Sequence, residues 1–195
     1  RSMGVPAQKF RCAQRLAGAA AIVAGGDADH VAVLPFNDTV AGAAVRGRRG
    51  GLPTELLAYI SRLRPEGGTA IAASLRAVAA RRPRGSAIII VSDCLDGGGI
   101  GDARGALRAR GIDTLLFHCL APEDVGYPSP GVFRLVDAET GEERDVTIDA
   151  AAQGEYRRRV EGWMESLAEE LRSVGGRYAS FSSSEPLIDA MRNRL

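Results

Sequence analysis

Hydrophobic positions along this chain follow two alternating patterns. Apolar residues spaced three and four apart predict amphipathic helices, which cover residues 10–23, 53–63, 70–78, 101–110, 150–174 and 185–193. Short runs rich in β-branched and aromatic residues predict strands, at residues 30–36, 40–45, 86–92, 112–120 and 177–181. This alternation favours an α/β fold, with a doubly wound, mostly parallel sheet and helices on both faces.

The run from Ala87 to Val91 is almost entirely aliphatic and ends abruptly at Ser92-Asp93, with glycines at 97–99. A short apolar run bounded by turn residues predicts a fully buried central strand of a parallel sheet. Open α/β sheets bind ligands at the carboxyl ends of their strands. Asp93 is therefore the first candidate for a functional carboxylate.

The regular alternation stops after residue 120. Residues 121–131 contain three prolines. Two further strand-like segments, 133–136 and 144–148, flank an Asp-Ala-Glu-Thr-Gly turn, which is typical of a β-hairpin. We therefore predict a single domain over residues 1–195, with a loop and hairpin insertion at 121–149.

Composition narrows the possible partners and the compartment. The chain has 195 residues, 45% of them hydrophobic, and a net charge of +1, so charge gives no argument for nucleic acid or a membrane surface. No apolar stretch approaches a membrane span, and no signal peptide is visible. The three cysteines lack CxxC spacing and are typical of reduced thiols. We expect a cytoplasmic protein with no membrane contact from this segment.

Three loops at strand-to-helix junctions offer oxygen donors at one edge of the predicted sheet. They contain Ser2, the tripeptide Gly67-Gly68-Thr69, and Ser92-Asp93. Hard cations such as Mg²⁺ prefer oxygen ligands in an octahedron and keep several waters. The glycines allow close approach of the backbone. Two hydroxyls and a carboxylate on separate loops are therefore suited to such a cation.

In these motifs the chain resembles a von Willebrand factor A-like domain with a metal-ion-dependent adhesion site. More narrowly, it resembles the bacterial family numbered fifty-eight among domains of unknown function. That family's first motif is Asp-x-Ser-x-Ser, often followed by Met, and Arg1-Ser2-Met3 matches only its tail. Residues 63–69 match its Leu-Arg-Pro-Glu-Gly-Gly-Thr loop, and Ser92-Asp93 matches the end of its central strand. Residues 134–142 and 184–187 are also similar, so the resemblance spans essentially the whole chain.

The resemblance implies a metal site and its ligands. Ser2 and Thr69 would bind Mg²⁺ or Mn²⁺ directly or through water, and Asp93 mostly through water. The first-motif Asp, its first serine and the first strand would precede Arg1, so we expect this stretch of chain alone to hold no ion tightly.

The resemblance also implies a non-enzymatic protein-interaction domain. An Asp or Glu of the partner would complete the octahedron of the metal. The implied partner is an AAA+ ATPase of the MoxR type, for which such domains commonly serve as adaptors.

Simpler interpretations of the same residues stay open. Thr69 and Asp93 could each be a helix N-cap, since their oxygens suit that position. His118, in an apolar strand, is more typical of a core histidine with its hydrogen bonds satisfied than of a ligand. The sequence contains no Gly-x-Ser-x-Gly elbow and no Walker A loop, which argues against an enzyme. The remaining alternatives are a metal-dependent hydrolase or phosphate-binding enzyme at the same sheet edge, and a metal-independent binding module.

Overall fold

The structure is a computed structural model that describes residues 6–27, 30–37, 45–48, 54–81, 83–95, 99–126, 130–136 and 142–194. Its helices are α1 (Pro6–Asp27), α2 (Thr54–Arg62), α3 (Ile71–Arg81), α4 (Arg104–Arg110), α5 (Pro122–Val125), α6 (Ala150–Arg172) and α7 (Leu187–Arg194). Its strands are β1 (His30–Val33), β2 (Val45–Arg48), β3 (Ala87–Ser92), β4 (Asp113–Leu120), β5 (Gly131–Val136), β6 (Glu143–Ile148) and β7 (Arg177–Ser182). A 3₁₀ turn, Ile100–Ala103, leads into α4.

Three parallel strands form the main sheet, in the order β3-β4-β7. The register places Ser92 opposite His118, and Leu120 opposite Ser182. The carboxyl ends of the three strands therefore lie side by side at one edge. This confirms a mixed α/β fold with a parallel sheet.

Helices pack on both faces of this sheet. On one face, α3, α4 and α6 enclose a core with β3 and β4, which includes Leu75, Ile90, Leu107, Leu116 and Leu171. On the other face, α1 and α7 pack against β4 and β7 around Leu16, Phe117, Phe181 and Ala190. Burial of these apolar side chains on both faces of β4 is the main source of stability.

The remaining described strands form two separate hairpins. β1 pairs antiparallel with β2, from His30 opposite Arg48 to Val33 opposite Val45. β5 pairs antiparallel with β6, from Gly131 opposite Ile148 to Val136 opposite Glu143. The predicted late hairpin is therefore confirmed, while its turn residues 137–141 lie outside the described residues.

The prediction that the 86–92 segment is a fully buried central strand is wrong for the described sheet. β4 is the middle strand, and it is buried from Leu116 to Leu120. In β3 only Ile90 is buried, and Ile89 is 40% exposed. The physical reason is that, among the described strands, β3 pairs only with β4, so its other edge leaves side chains uncovered.

Several element boundaries also differ from the sequence pattern. α1 continues through Gly25 and Gly26 to Asp27, because glycine in a helix costs only about 1 kcal/mol per residue. β1 ends at Val33 rather than residue 36, since Pro35 lacks the N–H that continued pairing needs. The second strand continues to Arg48, beyond its predicted end at residue 45, because hairpin pairing with β1 satisfies its backbone. The predicted strand residues 40–44 lie outside the described residues.

Candidate functional site

The carboxyl edge of the sheet carries an ion triad rather than isolated carboxylates. Asp93 directly follows β3, and its Oδ2 accepts a hydrogen bond from Lys9 Nζ at 2.9 Å. The same Nζ lies 3.2 Å from Asp124 Oδ2. The side chains of Lys9, Asp93 and Asp124 are 13%, 32% and 7% exposed. A single ammonium group therefore links α1, the end of β3 and α5.

Local helix geometry brings Lys9 to this edge. Pro6 begins α1, where a missing N–H and a fixed φ are favourable. Lys9 lies three and seven residues before the buried Cys12 and Leu16, so all three share one helix face. Packing of that face against β4 and β7 therefore carries the ammonium group to the strand ends.

Asp124 is fixed in its place by its own backbone contacts. Pro122 begins the single-turn helix α5, and Asp124 is its third residue. The Asp124 Oδ2 accepts a hydrogen bond from Ala121 N at 2.8 Å, which satisfies a free N–H at the helix start. Tyr156 Oη donates to the Asp124 carbonyl oxygen at 2.8 Å. The buried carboxylate of Asp124 is therefore held in position by contacts other than its ion pair with Lys9.

The electrostatics of the triad favour a charged lysine. Burial opposes the ammonium form, but the hydrogen bond and negative charge of Asp93, with the charge of Asp124, outweigh it and raise the pKa of Lys9. Two carboxylates and one ammonium leave a formal charge of −1 for the three groups. The negative charge at Asp93 is therefore largely countered inside the protein.

A neutral hydrogen-bond chain holds the backbone at Asp93. His118 Nε2 lies 3.0 Å from the Asp93 carbonyl oxygen, and Nδ1 lies 2.7 Å from Tyr178 Oη. A carbonyl oxygen only accepts, so Nε2 carries the proton and Nδ1 accepts from the tyrosine hydroxyl. His118 is fully buried and packs edge-to-face on Trp163. It is thus a core histidine with satisfied hydrogen bonds, as its apolar strand predicts.

Desolvation sets the protonation of this chain. Burial is the main cause that lowers the pKa of His118, although the Asp93 carbonyl and nearby carboxylates oppose it. Burial also raises the pKa of Tyr178. Both side chains are therefore neutral at physiological pH.

The turn after β3 fixes the direction of the Asp93 side chain. Ser92 Oγ accepts a hydrogen bond from Cys94 N at 3.1 Å. Cys94 is buried and has a φ of 53°, in the left-handed region that non-glycine residues seldom occupy. Because both neighbours of Asp93 are tied down, the carboxylate has little freedom to leave the strand end.

Two buried thiols lie beneath the triad. Cys12 of α1 and Cys119 of β4 share a thiol hydrogen bond, which lowers the pKa of Cys12 and raises that of Cys119. Cys119 Sγ lies 3.4 Å from the Lys9 carbonyl oxygen, which is the alternative acceptor for its single S–H. Cys12, Cys94 and Cys119 are buried and form no disulfide. The pair connects the backbone of Lys9 to the middle strand of the sheet.

The three predicted metal ligands differ in their location and contacts. Ser2 lies outside the described residues. Thr69 is exposed, two residues before the first residue of α3, so that Ala70 rather than Thr69 directly precedes the helix. The loop is tied to the segment after β1, since Ala70 N donates to Asn37 O at 3.1 Å. Among the described contacts, Asp93 is bound by Lys9 and none joins it to Thr69.

The described residues contain no cluster of metal ligands at this edge. Across the described ranges, no group of three or more His, Cys, Asp or Glu side chains could hold a metal by itself. Thr69 offers an exposed hydroxyl and Asp93 a partly exposed carboxylate, which are the oxygen donors that Mg²⁺ prefers. The described contacts pair Asp93 with Lys9 and do not join it to Thr69.

The glycines after β3 serve packing. Gly101 N donates to Glu170 Oε2 at 2.8 Å, and a Cβ at Gly99 would lie 3.1 Å from that same oxygen. Glu170 belongs to α6, so its carboxylate caps the 3₁₀ turn across the sheet face. Because glycine has no Cβ, it allows this close approach of Glu170. Packing therefore accounts for Gly99 and Gly101, and a phosphate ligand is not needed to explain these two glycines.

Sequence patterns did not single out Lys9 or Asp124. Lys9 is the only lysine in a chain otherwise rich in arginine, which was the one available signal. Asp124 follows a proline in a stretch that the hydrophobic pattern assigned to a loop. Their pairing depends on elements more than 100 residues apart, which spacing alone does not bring together.

Among the described residues, no helix is both long enough and apolar enough to cross a membrane.

Two solved structures align with most of this chain. An aerotolerance-related membrane protein from Bacteroides fragilis aligns with a TM-score of 0.52 and 17% identity, over 95% of this chain and 87% of that one. The conserved hypothetical protein BatB from Bacteroides thetaiotaomicron aligns with a TM-score of 0.49 and 18% identity, over 94% and 85% of the two chains. At such identities the likeness concerns the fold alone.

Sequence comparison identifies the family. An uncharacterized protein of Mycobacterium avium is 40% identical over 102 residues, which cover 50% of this chain and 58% of that protein. The chain thus spans less than two thirds of the length of that relative. The family described as protein of unknown function DUF58 matches residues 3–164, which is more than half of the chain. This chain therefore belongs to the DUF58 family.

Proposed function

We propose that this chain is a von Willebrand factor A-like protein-interaction domain that binds a partner's carboxylate through a divalent cation. The observation that carries the proposal is Asp93, a partly exposed carboxylate held at the carboxyl end of β3. Ligands of open α/β sheets bind at this place. A hydrogen bond joins Ser92 and Cys94 on either side of Asp93, and His118 binds the Asp93 carbonyl oxygen. This fixed backbone suits a preformed site.

In this proposal Asp93 and Thr69, together with Ser2, would hold Mg²⁺ or Mn²⁺. The ion would supply an electrophilic position for an Asp or Glu side chain of the partner. Lys9 offsets the charge of Asp93, and His118 keeps the Asp93 carbonyl oxygen turned into the core.

The proposed fold is a complete doubly wound sheet over a single domain, with the hairpin as an insertion. Among the described strands, β3 pairs only with β4, and its aliphatic sequence is typical of a strand buried on both faces.

The proposed partner is an AAA+ ATPase of the MoxR type, and the proposed compartment is the cytoplasm. Both follow from the family resemblance rather than from geometry. We propose no enzymatic activity for this chain. The proposed role needs Asp93 and Thr69 to be accessible; Thr69 is exposed, and the Asp93 side chain is 32% exposed.

A calorimetric titration of the full-length protein tests the proposal. Mg²⁺ or Mn²⁺ should give binding heat that is lost in Asp93→Ala and reduced in Thr69→Ala. Asp113→Ala is the matched control, because Asp113 is an exposed carboxylate at the opposite edge of the same sheet. An absence of heat, or heat that is unchanged in Asp93→Ala, would contradict a metal site.

A pull-down of the MoxR-type ATPase by this protein, together with a phosphoesterase assay, distinguishes the proposal from a metal-independent binding module and from an enzyme. The proposal expects capture to require Mg²⁺ and to fail with EDTA or in Asp93→Ala. Capture that survives EDTA favours a metal-independent binding module. Turnover of phosphoesters that Asp93→Ala abolishes favours the enzyme alternative.

A further inference from the structure

We propose that a shallow groove between α1 and α2 is a docking site for an acidic amphipathic helix of a protein partner. The groove has a volume of about 580 Å³, and Leu187, the first residue of α7, also lines it. Neither Asp93 nor Thr69 lies among the lining residues. The proposal therefore goes beyond the cation site and does not depend on it.

One stripe of α1 forms a wall of the groove. Arg11, Arg15, Gly18 and Ile22 all line it, and they follow one another at spacings of four, three and four residues. Such spacing places the four residues on one face of the helix. From Arg11 to Ile22 the helix axis rises about 16 Å. The wall is therefore long enough to accompany about three turns of a docked helix.

The stripe begins with two unpaired cations. Arg11 and Arg15 are exposed, and among the described residues neither forms an ion pair. Their own helix contains no carboxylate before Asp27, and like charges one turn apart repel each other. Glu185, two residues before α7, pairs with Arg194 at 2.7 Å instead. The two arginines therefore have the charge that carboxylates of a partner would complement.

The rest of the lining is mostly apolar. Ile22 is 53% exposed, and Leu57 and Leu187 are half-buried. Single exposed apolar side chains are common on protein surfaces, but these three share one groove beside two cations. Covering them with apolar side chains of a docked helix is favourable. Apolar residues next to carboxylates on one face describe an acidic amphipathic helix.

The two helices that form the groove are held together by close contacts. Gln14 Nε2 donates to the Ile60 carbonyl oxygen at 2.7 Å, near the end of α2. A Cβ at Gly18 would lie 3.2 Å from Leu57 Cδ2, so the helices pack closely at this point. A groove that is already formed requires less ordering of the protein when a partner binds.

Other classes of partner match the groove less well. Nucleic acid binding depends on many phosphate contacts, whereas the described lining offers two cations. An extended peptide adds to the free edge of a strand, whereas all described lining residues belong to helices. A helix docked between helices is therefore the occupant that the geometry favours.

The experiment is a selection of binders from a displayed library of helix-forming peptides. The peptides have about 16 residues, enough to cover the groove with a spare turn, and random side chains on one face. The target is the full-length protein in EDTA. Enriched peptides should carry at least two Asp or Glu residues within one turn of an apolar i, i+4 pair. Fluorescence anisotropy then measures the affinity of the most enriched peptide.

Arg11→Glu combined with Arg15→Glu should weaken this peptide at least about tenfold, because two attractive charges become repulsive. A peptide with Lys in place of its acidic residues should bind this variant better than the wild type. Ile22→Ser should weaken the original peptide about threefold or more, because apolar contact is lost. Circular dichroism verifies the fold of each variant.

The matched control is Arg104→Glu combined with Arg108→Glu. These two arginines are also exposed and one turn apart, but they belong to α4 on the opposite face of the sheet. The control should change the affinity less than about twofold, because distant exposed charges are screened by salt.

Enrichment of acidic helices, with binding lost in the groove variants and kept in the control, supports the proposal. An absence of enrichment, enriched peptides without acidic residues, or an equal loss of binding in the control overturns it. Sedimentation of the protein alone tests for a second copy as the occupant. A dimer that dissociates in Ile22→Ser overturns the proposal in favour of self-association. Because EDTA is present throughout, none of these results depends on a cation at Asp93.

Discussion

At the scale of single residues, the candidate site depends on the buried polar contacts of two side chains, Lys9 and His118. Their partners lie far away in the sequence. Lys9 joins two carboxylates, and His118 joins the Asp93 carbonyl oxygen to Tyr178. Each contact satisfies a group whose burial would otherwise be costly. Asp93 is therefore held by its side chain from α1 and by its backbone from β4.

The neutrality of His118 leads to a pH prediction. Burial lowers the pKa of His118 in the folded state, whereas the unfolded chain takes up a proton near pH 6.5. Below about pH 6.5 the unfolded state therefore binds more protons than the folded state, and stability falls by up to about 1.4 kcal/mol per pH unit. The loss continues until the pH reaches the folded pKa.

Urea unfolding between pH 7.5 and 5.5 measures this effect. His118→Gln should remove most of the decline in the free energy of unfolding over that range. His30→Gln is the control, because His30 is exposed and is the only other histidine of the chain. Equal pH dependence in wild type and His118→Gln would show that His118 is not the titrating group.

At the scale of elements, close backbone approach determines where β7 meets β4. A Cβ at Gly176, just before β7, would lie 2.8 Å from the Thr114 carbonyl oxygen and 3.1 Å from that of Leu171. Gly176 N also donates to Leu171 O at 2.8 Å. Glycine therefore allows the chain to pass from α6 into the sheet without displacing β4.

Gly176→Ala should destabilise the protein. Both neighbouring atoms belong to the backbone and cannot rotate away, so we expect a loss of about 1–3 kcal/mol in the free energy of unfolding. Gly162→Ala is the matched control within α6, where a Cβ would meet no heavy atom within 4 Å. It should stabilise by about 0.5–1 kcal/mol. Denaturant titration of both variants checks the opposite signs; a neutral Gly176→Ala would contradict the close approach.

At the scale of the whole molecule, stability is concentrated around β4. β4 pairs on both sides, with β3 and β7, and packs helices on both faces. The β5-β6 hairpin pairs only with itself among the described strands, and Val132 within it is exposed. Exposing the amides of β4 to solvent therefore requires more contacts to break than exposing those of the β5-β6 hairpin.

Amide hydrogen exchange should reveal this difference directly. Amides of β4 should exchange slowest and approach the global free energy of unfolding, whereas those of β5 and β6 should exchange markedly faster. Mass spectrometry of peptic fragments covering 113–120 and 131–148 provides the measurement. Protection of the hairpin equal to that of β4 would indicate that it opens only with the core.

Much of this architecture follows from the sequence. The aliphatic runs at 86–92 and 112–120 predict two parallel strands, and both are confirmed. The late turn motif predicts the hairpin, which is also confirmed. The position of Asp93 at the end of β3 follows from the same pattern, because a strand's last apolar residue marks its carboxyl end. These features are local, so periodicity and turn chemistry suffice to predict them.

Only the tertiary structure decided the partners of Asp93 and the order of the strands. The single lysine, Lys9, lies 84 residues before Asp93 in sequence. Asp124 contacts the same Lys9 from a third element, α5. Strand order places β4 rather than β3 in the middle of the described sheet, since order depends on which edges pair rather than on hydrophobicity. The sequence by itself thus determined the segments and the carboxylate at the strand end. Packing of α1 across the sheet decided that this carboxylate is countered by an ammonium group, because long-range contacts carry no local sequence signal.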